Sequence, residues 1–167
     1  KEIAEKNKNF VVLNNLKEGL GGAINLGIEQ SKGKFVCIMM ADISDDIHDL
    51  KKYYNLMEEN NYDAVFGSRF TRDSIVEGYP IKKLILNRIF NFFVSLIFLN
   101  KYNDYTNAFK IYKTSMVKNF IPLISESFNV FLELPLKVIS RKYKFISIPI
   151  NWRTRKKGEA KFKIKEL

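Results

Sequence analysis

The feature that most constrains the fold is a regular alternation of two kinds of segment. Apolar runs of strand length, such as 34–40 and 62–70, alternate with amphipathic stretches of helix length, such as 46–60. This alternation is typical of an α/β domain in which helices flank a mostly parallel sheet. The chain has 167 residues, 46% of them hydrophobic, which suffices for a substantial core. The sequence therefore predicts a single α/β domain over residues 1–167.

The same patterns predict the individual elements. Strands are expected at 10–14, 34–40, 62–70 and 144–152, with a strand or extended loop at 104–112. Helices are expected within 19–34, 46–60, 81–101, 115–121 and 128–143. The chain begins at Lys1 without a signal segment, and the expectation is an interior piece of a longer protein.

Acidic residues follow the apolar run 34–40 directly. Asp42, Asp45, Asp46 and Asp49 come within a few residues of its end, and ligands of open α/β sheets bind outside such strand ends. Carboxylate oxygens there suit Mg²⁺ or Mn²⁺. For Asp46 and Asp49, capping of the following helix is an alternative role.

The chain carries an excess of positive charge, concentrated near its end. The formal net charge is +10, and six residues between Arg153 and Lys163 are Arg or Lys. Such a field attracts nucleic acid, anionic lipid or phosphorylated substrates, and charge alone does not choose among them. Cys37 is the single cysteine, so a disulfide within the chain is excluded and a reducing, cytosolic setting fits.

The segment 81–101 is more apolar than a surface helix requires. Polar residues interrupt it at Asn87, Arg88, Asn91 and Ser95, so its apolar length falls short of the ~20 residues of a membrane-spanning helix. One interpretation is an interfacial helix whose apolar side chains enter the lipid boundary. The other is a core helix of a larger assembly.

Four blocks in order resemble family 2 glycosyltransferases of the GT-A fold, closest to the dolichyl-phosphate mannosyltransferase-like branch. The blocks are "EGLGGAINLGIEQSKGKFVCIMMADISDD", "DAVFGSRF", "DYTNAFKIYK" and "PINWRTRKKGEAK". The resemblance implies a GT-A-like domain that lacks the N-terminal nucleotide-binding strand of the family. It also implies that Asp42 ligates a metal and the donor diphosphate, although Met40 stands where the family's motif has its first acid. Ser44 and Asp45 are the further metal ligands expected.

The resemblance assigns the remaining site residues. Arg69 is expected at the floor of the active site, and Asp104 is the first position carried over from the third block. Residues expected to bind the donor or a phosphate are Gly21, Lys110, Arg155, Gly158 and Lys161. Glu133 matches an acid common in the family, and a solvated helix residue is a comparable explanation. The glycine pattern itself is weak evidence, because Ile24 replaces the third glycine of a dinucleotide-binding fingerprint.

The implied reaction is inverting transfer of a sugar from a nucleotide-sugar donor to a polyprenyl phosphate, with Mg²⁺ or Mn²⁺ as cofactor. The implied location is the cytoplasmic face of a membrane, and no nucleic-acid partner is expected. A sugar hydroxyl is the alternative acceptor, and it would need a base such as Asp104 or Glu133. A hypothesis of another class is a non-catalytic basic module that binds anionic membrane or nucleic acid.

Overall fold

The computed structural model describes residues 9–17 and 19–155. Its helices are α1 (Gly19–Gln30), α2 (Ile47–Asn60), α3 (Ile81–Ile97), α4 (Thr114–Lys118) and α5 (Val130–Ser140). Its strands are β1 (Phe35–Ile38), β2 (Ala64–Ser68), β3 (Ile75–Glu77), β4 (Lys110–Lys113), β5 (Phe145–Pro149) and β6 (Asn151–Arg153). Each predicted helix has a counterpart in the structure, whereas β3 was not predicted.

Four strands form the main sheet in the order β1-β4-β2-β5. β4 is antiparallel to both of its neighbours, and β2 is parallel to β5. Consequently β1, β2 and β5 run in one direction and β4 alone is reversed. The predicted α/β class with a mostly parallel sheet is confirmed. The strand predicted at 144–152 is divided in two, because β6 leaves the main sheet to pair with β3.

Hydrophobic side chains pack on both faces of this sheet. Alternate residues of β2 belong to different clusters: Ala64 and Phe66 lie in the larger cluster and Val65 in the smaller one. Successive strand residues point to opposite faces. The larger cluster includes side chains of α1, α4 and α5, and the smaller one includes Tyr53 and Met57 of α2. All five residues of β2 are buried, so this strand is the centre of the domain.

The prediction of a strand at 10–14 is wrong. The structure has no strand at these residues, and Val11 is 80% exposed. A strand needs a neighbour that bonds its backbone groups, and in the described part of the chain neither sheet includes this segment. Local β-propensity was therefore not sufficient to form a strand here.

The start of α2 separates two acids that the sequence grouped together. Asp46 caps the helix as predicted, because its Oδ1 accepts a hydrogen bond of 2.9 Å from the backbone amide of His48. Asp49 is fully buried and has another function: its Oδ2 accepts 2.7 Å from the amide of Asn151. Asp49 thereby attaches the start of β6 to α2.

Helix α3 exposes most of its large apolar residues. More than half of the residue surface is exposed at Ile81, Ile85, Leu86, Phe92, Phe93, Leu96 and Ile97. Its inner side is formed by a few residues, among them the buried Asn91 and Val94. Within residues 9–17 and 19–155, no helix combines the length and apolarity that crossing a bilayer requires.

Candidate active site

Asp42 lies in the loop that follows β1, beyond the carboxyl end of the strand. Its Oδ1 accepts hydrogen bonds from the Ser44 amide at 3.2 Å and from the Ser44 hydroxyl at 2.7 Å. Ile43 between them has a left-handed backbone conformation, with φ of 59°. Oδ2 of Asp42 lies 4.0 Å from Nε of Arg155. The loop therefore orients Asp42 through one oxygen and leaves the other facing a cation.

Asp45 is the second carboxylate of this loop. The residue is 8% exposed, and its Oδ1 has no hydrogen-bond partner among the described residues. Burial raises the pKa of Asp45 to about 6, and the negative charge of Asp42 adds to this effect, whereas Arg69 and Lys110 oppose it. A buried, unpaired carboxylate oxygen is costly, so this atom is a strong candidate for contact with a cation.

The residue types of the loop fit a hard divalent cation. Asp42 and Asp45 supply carboxylate oxygens, and the Ser44 hydroxyl retains lone pairs while it donates to Asp42. The described residues contain no group of three or more His, Cys, Asp or Glu side chains placed to hold a metal. Two protein carboxylates with the remaining ligands taken from substrate phosphate and water is a common arrangement for Mg²⁺.

Arg69 and Asp104 form a buried bidentate ion pair behind this loop. Nε and Nη2 of Arg69 donate to the two carboxylate oxygens at 2.9 and 2.7 Å, and the backbone amide of Arg69 donates at 2.9 Å. The side chains are 9% and 0% exposed. Burial alone would lower the pKa of Arg69, but Asp104 raises it above its usual value. Arg69 thus stays charged, and both oxygens of Asp104 accept hydrogen bonds from it, whereas a general base needs a free oxygen.

Trp152 contacts both the loop that carries Asp42 and Asp45, called the acidic loop below, and the Arg69–Asp104 ion pair. Its backbone forms an isolated β-bridge with Asp45, and its ring lies 5.8 Å from Cζ of Arg69. The rings of Phe70 and Tyr79 lie 5.3 and 5.4 Å from the same atom. Three aromatic side chains therefore surround the guanidinium and bring it beside the acidic loop, where the charges of Arg69 and Asp45 interact.

Lys110, predicted to bind the donor, is enclosed beneath the loop that carries Asp104. The residue is 1% exposed, and Nζ donates to the carbonyl oxygens of Tyr105, at 3.0 Å, and Asn107. Burial lowers the pKa of Lys110 to about 7, and Arg69 acts in the same direction, while Asp104 and Asp45 oppose it. The contacts of Lys110 give it a role in holding the loop, and its role in binding stays a prediction.

Gly21 and Glu133 lie at a separate contact, between α1 and the segment that precedes α5. A Cβ atom added to Gly21 would lie 1.8 Å from the carbonyl oxygen of Ser125, so only glycine fits. The Glu133 carboxylate accepts from the amides of Ile124 and Ser125 at 2.8–3.1 Å and pairs with Lys137 at 2.6 Å. These contacts explain both residues by packing and loop anchoring.

The structure thus brings together Asp42, Ser44, Asp45 and Arg155, and places Arg69 and Asp104 beside them. Gly158 and Lys161 lie outside the described residues. Sequence reasoning did not single out Tyr79 or Trp152 as site residues. Trp152 is the chain's only tryptophan and lies inside a block that resembles the family, which was an available signal, whereas only the fold reveals Tyr79.

Comparison with known sequences places this geometry in context. The profile described as "Glycosyl transferase family 2" matches residues 1–121. The chain is 20% identical over 163 residues to the polyprenol monophosphomannose synthase of Mycolicibacterium smegmatis, covering 95% of this chain and 62% of that protein. It is 22% identical over 145 residues to the glycosyltransferase AglD of Haloferax volcanii, covering 86% of this chain and 23% of that protein. The chain therefore spans less than two thirds of these curated relatives.

Solved structures show the same fold at low identity. Glucosyl-3-phosphoglycerate synthase from Mycobacterium tuberculosis superposes with a TM-score of 0.63 at 11% identity, over 86% of this chain and 49% of that one. That crystal holds Mn²⁺, uridine diphosphate and glucosyl-3-phosphoglycerate. Another crystal of the same enzyme, with Mn²⁺ and UDP-glucose, superposes with a TM-score of 0.62 over 89% and 49% of the two chains. The likeness establishes the fold of the present chain.

Proposed function

Because the chain belongs to glycosyl transferase family 2, we propose that it transfers a sugar from a nucleotide-sugar donor to a polyprenyl phosphate at the cytoplasmic face of a membrane. The observation that carries the proposal is the meeting of two charged groups on either side of Trp152. The acidic loop with Asp42 and Asp45 lies on one side, and the Arg69–Asp104 pair lies on the other. Such a site offers carboxylates to a cation and, through Arg155 near Asp42, positive charge to a diphosphate.

The donor half of the reaction requires stabilisation of a leaving diphosphate. Asp42 and Asp45 would hold Mg²⁺ or Mn²⁺, and the bound cation would neutralise charge that develops on the leaving group. Arg155, whose side chain is 38% exposed near Asp42, adds positive charge on the open side of the loop. The Mn²⁺ and UDP-glucose in crystals of a fold relative support a cation and a nucleotide sugar of this class.

The acceptor assignment is supported by helix α3. Its exposed apolar residues face outward, and Lys82, Lys83 and Arg88 on the same helix are exposed. Apolar and basic side chains together suit the surface of an anionic membrane, where a polyprenyl phosphate would be presented. The name of the mycobacterial relative supports a polyprenol substrate, and the single cysteine fits a reducing compartment.

The two carboxylates that the sequence nominated as bases, Asp104 and Glu133, favour a phosphate acceptor. Both oxygens of Asp104 accept hydrogen bonds from Arg69, and both oxygens of Glu133 are bonded to backbone amides. A sugar hydroxyl must lose a proton as it attacks and would need such a base. A phosphate oxygen is already anionic near neutral pH, so it can attack the anomeric carbon without one.

A sugar-hydroxyl acceptor is the second candidate, and Asp45 is the observation that favours it. Its Oδ1 is unbonded among the described residues, and burial raises its pKa to about 6, which suits a general base near neutral pH. In this case Asp45 would take the proton of the acceptor hydroxyl, and Asp42 would remain the principal ligand of the cation.

The decisive experiment is nucleotide release by the full-length gene product. Each of several nucleotide sugars is incubated with Mg²⁺ or Mn²⁺ and with either polyprenyl phosphate in detergent or soluble sugar acceptors. Asp42→Asn is compared with Asp46→Asn, which makes the same chemical change four residues away. Asn caps helices as well as Asp does, so Asp46→Asn controls for the loss of one carboxylate in this loop.

The proposal expects release that needs both polyprenyl phosphate and the divalent cation. Asp42→Asn should lower it by at least about a hundredfold, in line with the loss of a charge that stabilises the leaving group, and Asp46→Asn should retain it. Release that depends on a soluble sugar instead would support the second candidate. Equal rates for wild type and Asp42→Asn would refute the metal assignment.

A further inference from the structure

Helix α3 carries two asparagines on the side that faces the protein. Asn87 and Asn91 are one turn apart, and Asn91 is 1% exposed. An apolar residue would pack at such a position without the cost of burying an amide, which must be offset by hydrogen bonds. Because the same helix exposes large apolar side chains outward, these two amides call for an explanation through their partners.

Asn91 bonds directly to the loop that contains Asp104. Its Oδ1 accepts a hydrogen bond of 2.6 Å from the backbone amide of Tyr105. Its Nδ2 donates to the carbonyl oxygen of Asn87 at 2.8 Å and also to Oδ1 of the Asn87 side chain. Asn91 therefore fixes the residue next to Asp104 and orients the amide of Asn87.

Asn87 reaches two of the groups that surround Arg69. Its Oδ1 accepts 2.9 Å from the Thr106 hydroxyl, which itself accepts 3.1 Å from Nη2 of Arg69. Its Nδ2 donates 2.7 Å to the hydroxyl of Tyr79, whose ring lies 5.4 Å from Cζ of Arg69. A single amide thus holds two partners of the guanidinium on different sides.

We propose that Asn87 and Asn91 are positioning residues of the active site, acting on Arg69 through Thr106 and Tyr79 and on Asp104 through the amide of Tyr105. This inference rests on the proposed function for its effect on catalysis. Without the Asn87 acceptor, the Thr106 hydroxyl is free to turn toward Asp104, whose Oδ1 is 3.5 Å away, and Arg69 loses a fixed partner. Bonds in such networks support one another, so the loss extends beyond one pair.

The test is a double-mutant cycle between Asn87→Ala and Thr106→Val in the full-length gene product. Each single change should lower kcat for nucleotide release about tenfold while KM for the donor stays within about twofold, because positioning is needed in the transition state. The double variant should be no slower than Asn87→Ala alone, since Asn87→Ala already removes the connection to Thr106 together with the bond to Tyr79. Thr106→Ser keeps the hydroxyl and should restore kcat.

Ser95→Ala is the matched control on the same helix. The Ser95 hydroxyl donates only within α3, to the carbonyl of Phe92 at 2.8 Å, so kcat should be unchanged. A double variant that is about a hundredfold slower than wild type, or a Thr106→Ser variant as slow as Thr106→Val, would overturn the proposal. The first outcome would show that the two residues act independently, and the second would show that the Thr106 hydroxyl is not the group that positions Arg69.

A second measurement is independent of turnover. Hydrogen exchange of the backbone amides at 104–107 should become faster in Asn91→Leu, which removes the acceptor of the Tyr105 amide, and in Asn87→Ala, but not in Ser95→Ala. If the wild type turns over no donor, the proposed function fails while this comparison still tests the positioning role. Unchanged exchange at 104–107 in both asparagine variants would refute it.

Discussion

The substitution Asp104→Asn tests how much the domain depends on its buried ion pair. The wild-type carboxylate accepts three hydrogen bonds from Arg69, two from the guanidinium and one from the backbone amide. An asparagine retains one acceptor oxygen and turns an amide nitrogen toward a donor of Arg69. The guanidinium, 9% exposed, would then be buried without an opposite charge.

The expected loss of unfolding free energy is about 3 kcal/mol. Removal of one partner from a buried pair costs roughly 3–5 kcal/mol, and the lower value applies because three aromatic rings lie within 5.3–5.8 Å of Cζ of Arg69 and remain in place. Urea unfolding at pH 7 measures this loss as a lower midpoint at unchanged slope. Domains of this kind have unfolding free energies of about 5–15 kcal/mol, so a loss of this size is easily measured by urea unfolding.

Glu58→Gln is the control for loss of a carboxylate without burial. Glu58 pairs with Lys34 at 2.7 Å, but the two side chains are 34% and 65% exposed, and exposed pairs contribute at most about 1 kcal/mol. A loss below about 1 kcal/mol in Asp104→Asn, similar to that in Glu58→Gln, would refute the argument. It would also mean that any loss of activity in Asp104→Asn is a direct effect on catalysis.

Three further predictions follow from single contacts. Gly21→Ala should lower the unfolding free energy by about 3 kcal/mol because the new Cβ meets a backbone oxygen at 1.8 Å, whereas Gly27→Ala, with open space around its Cβ, should raise it by up to about 1 kcal/mol in urea unfolding. Burial lowers the pKa of Lys110 to about 7, so the unfolded wild type binds more protons than the folded one between about pH 7 and 10. As the pH rises through this range, the unfolding free energy of the wild type should increase relative to that of Lys110→Met by up to about 1.4 kcal/mol per pH unit. Parallel curves of unfolding free energy against pH for the two proteins would contradict this. Phe93→Gln, at a site 55% exposed on α3, should weaken binding to anionic vesicles about fivefold, since burying half a Phe is worth roughly 1 kcal/mol, while Tyr54→Gln on α2, with 52% exposure, should not.

The acidic loop could be predicted because its signal is local. An apolar run that ends at several carboxylates is visible in the sequence, and the resemblance assigns Asp42 from neighbouring letters. The Arg69–Asp104 pair was different, because each residue could be nominated but 35 positions separate them. Only the adjacency of β2 to the loop before β4 brings the two side chains together.

One wrong prediction and one omission have the same physical origin. Residues 10–14 have the composition of a strand, yet strand formation depends on a partner that no local pattern supplies. In the sequence, Asn87 and Asn91 are no more than interruptions of an apolar segment. The structure places them inward beside Phe90 and Val94, while most of the large apolar residues of α3 are exposed, whereas the apolar face of a surface helix usually meets the core.

This inverted arrangement links the proposed membrane surface to the proposed chemistry. The inner side of α3 is bonded to Thr106 and to the Tyr105 amide, so the position of the helix and the position of Arg69 depend on each other. Burial of its exposed apolar side against a membrane or another protein would be favourable. A bilayer that covered α3 would therefore lie at a fixed distance from Arg69. It would present a lipid phosphate, which needs no general base, beside an ion pair whose carboxylate, Asp104, is already bonded. A soluble sugar acceptor would instead need Asp45, whose Oδ1 is unbonded among the described residues, as its base, and the exposed side of α3 would then need a protein partner to cover it.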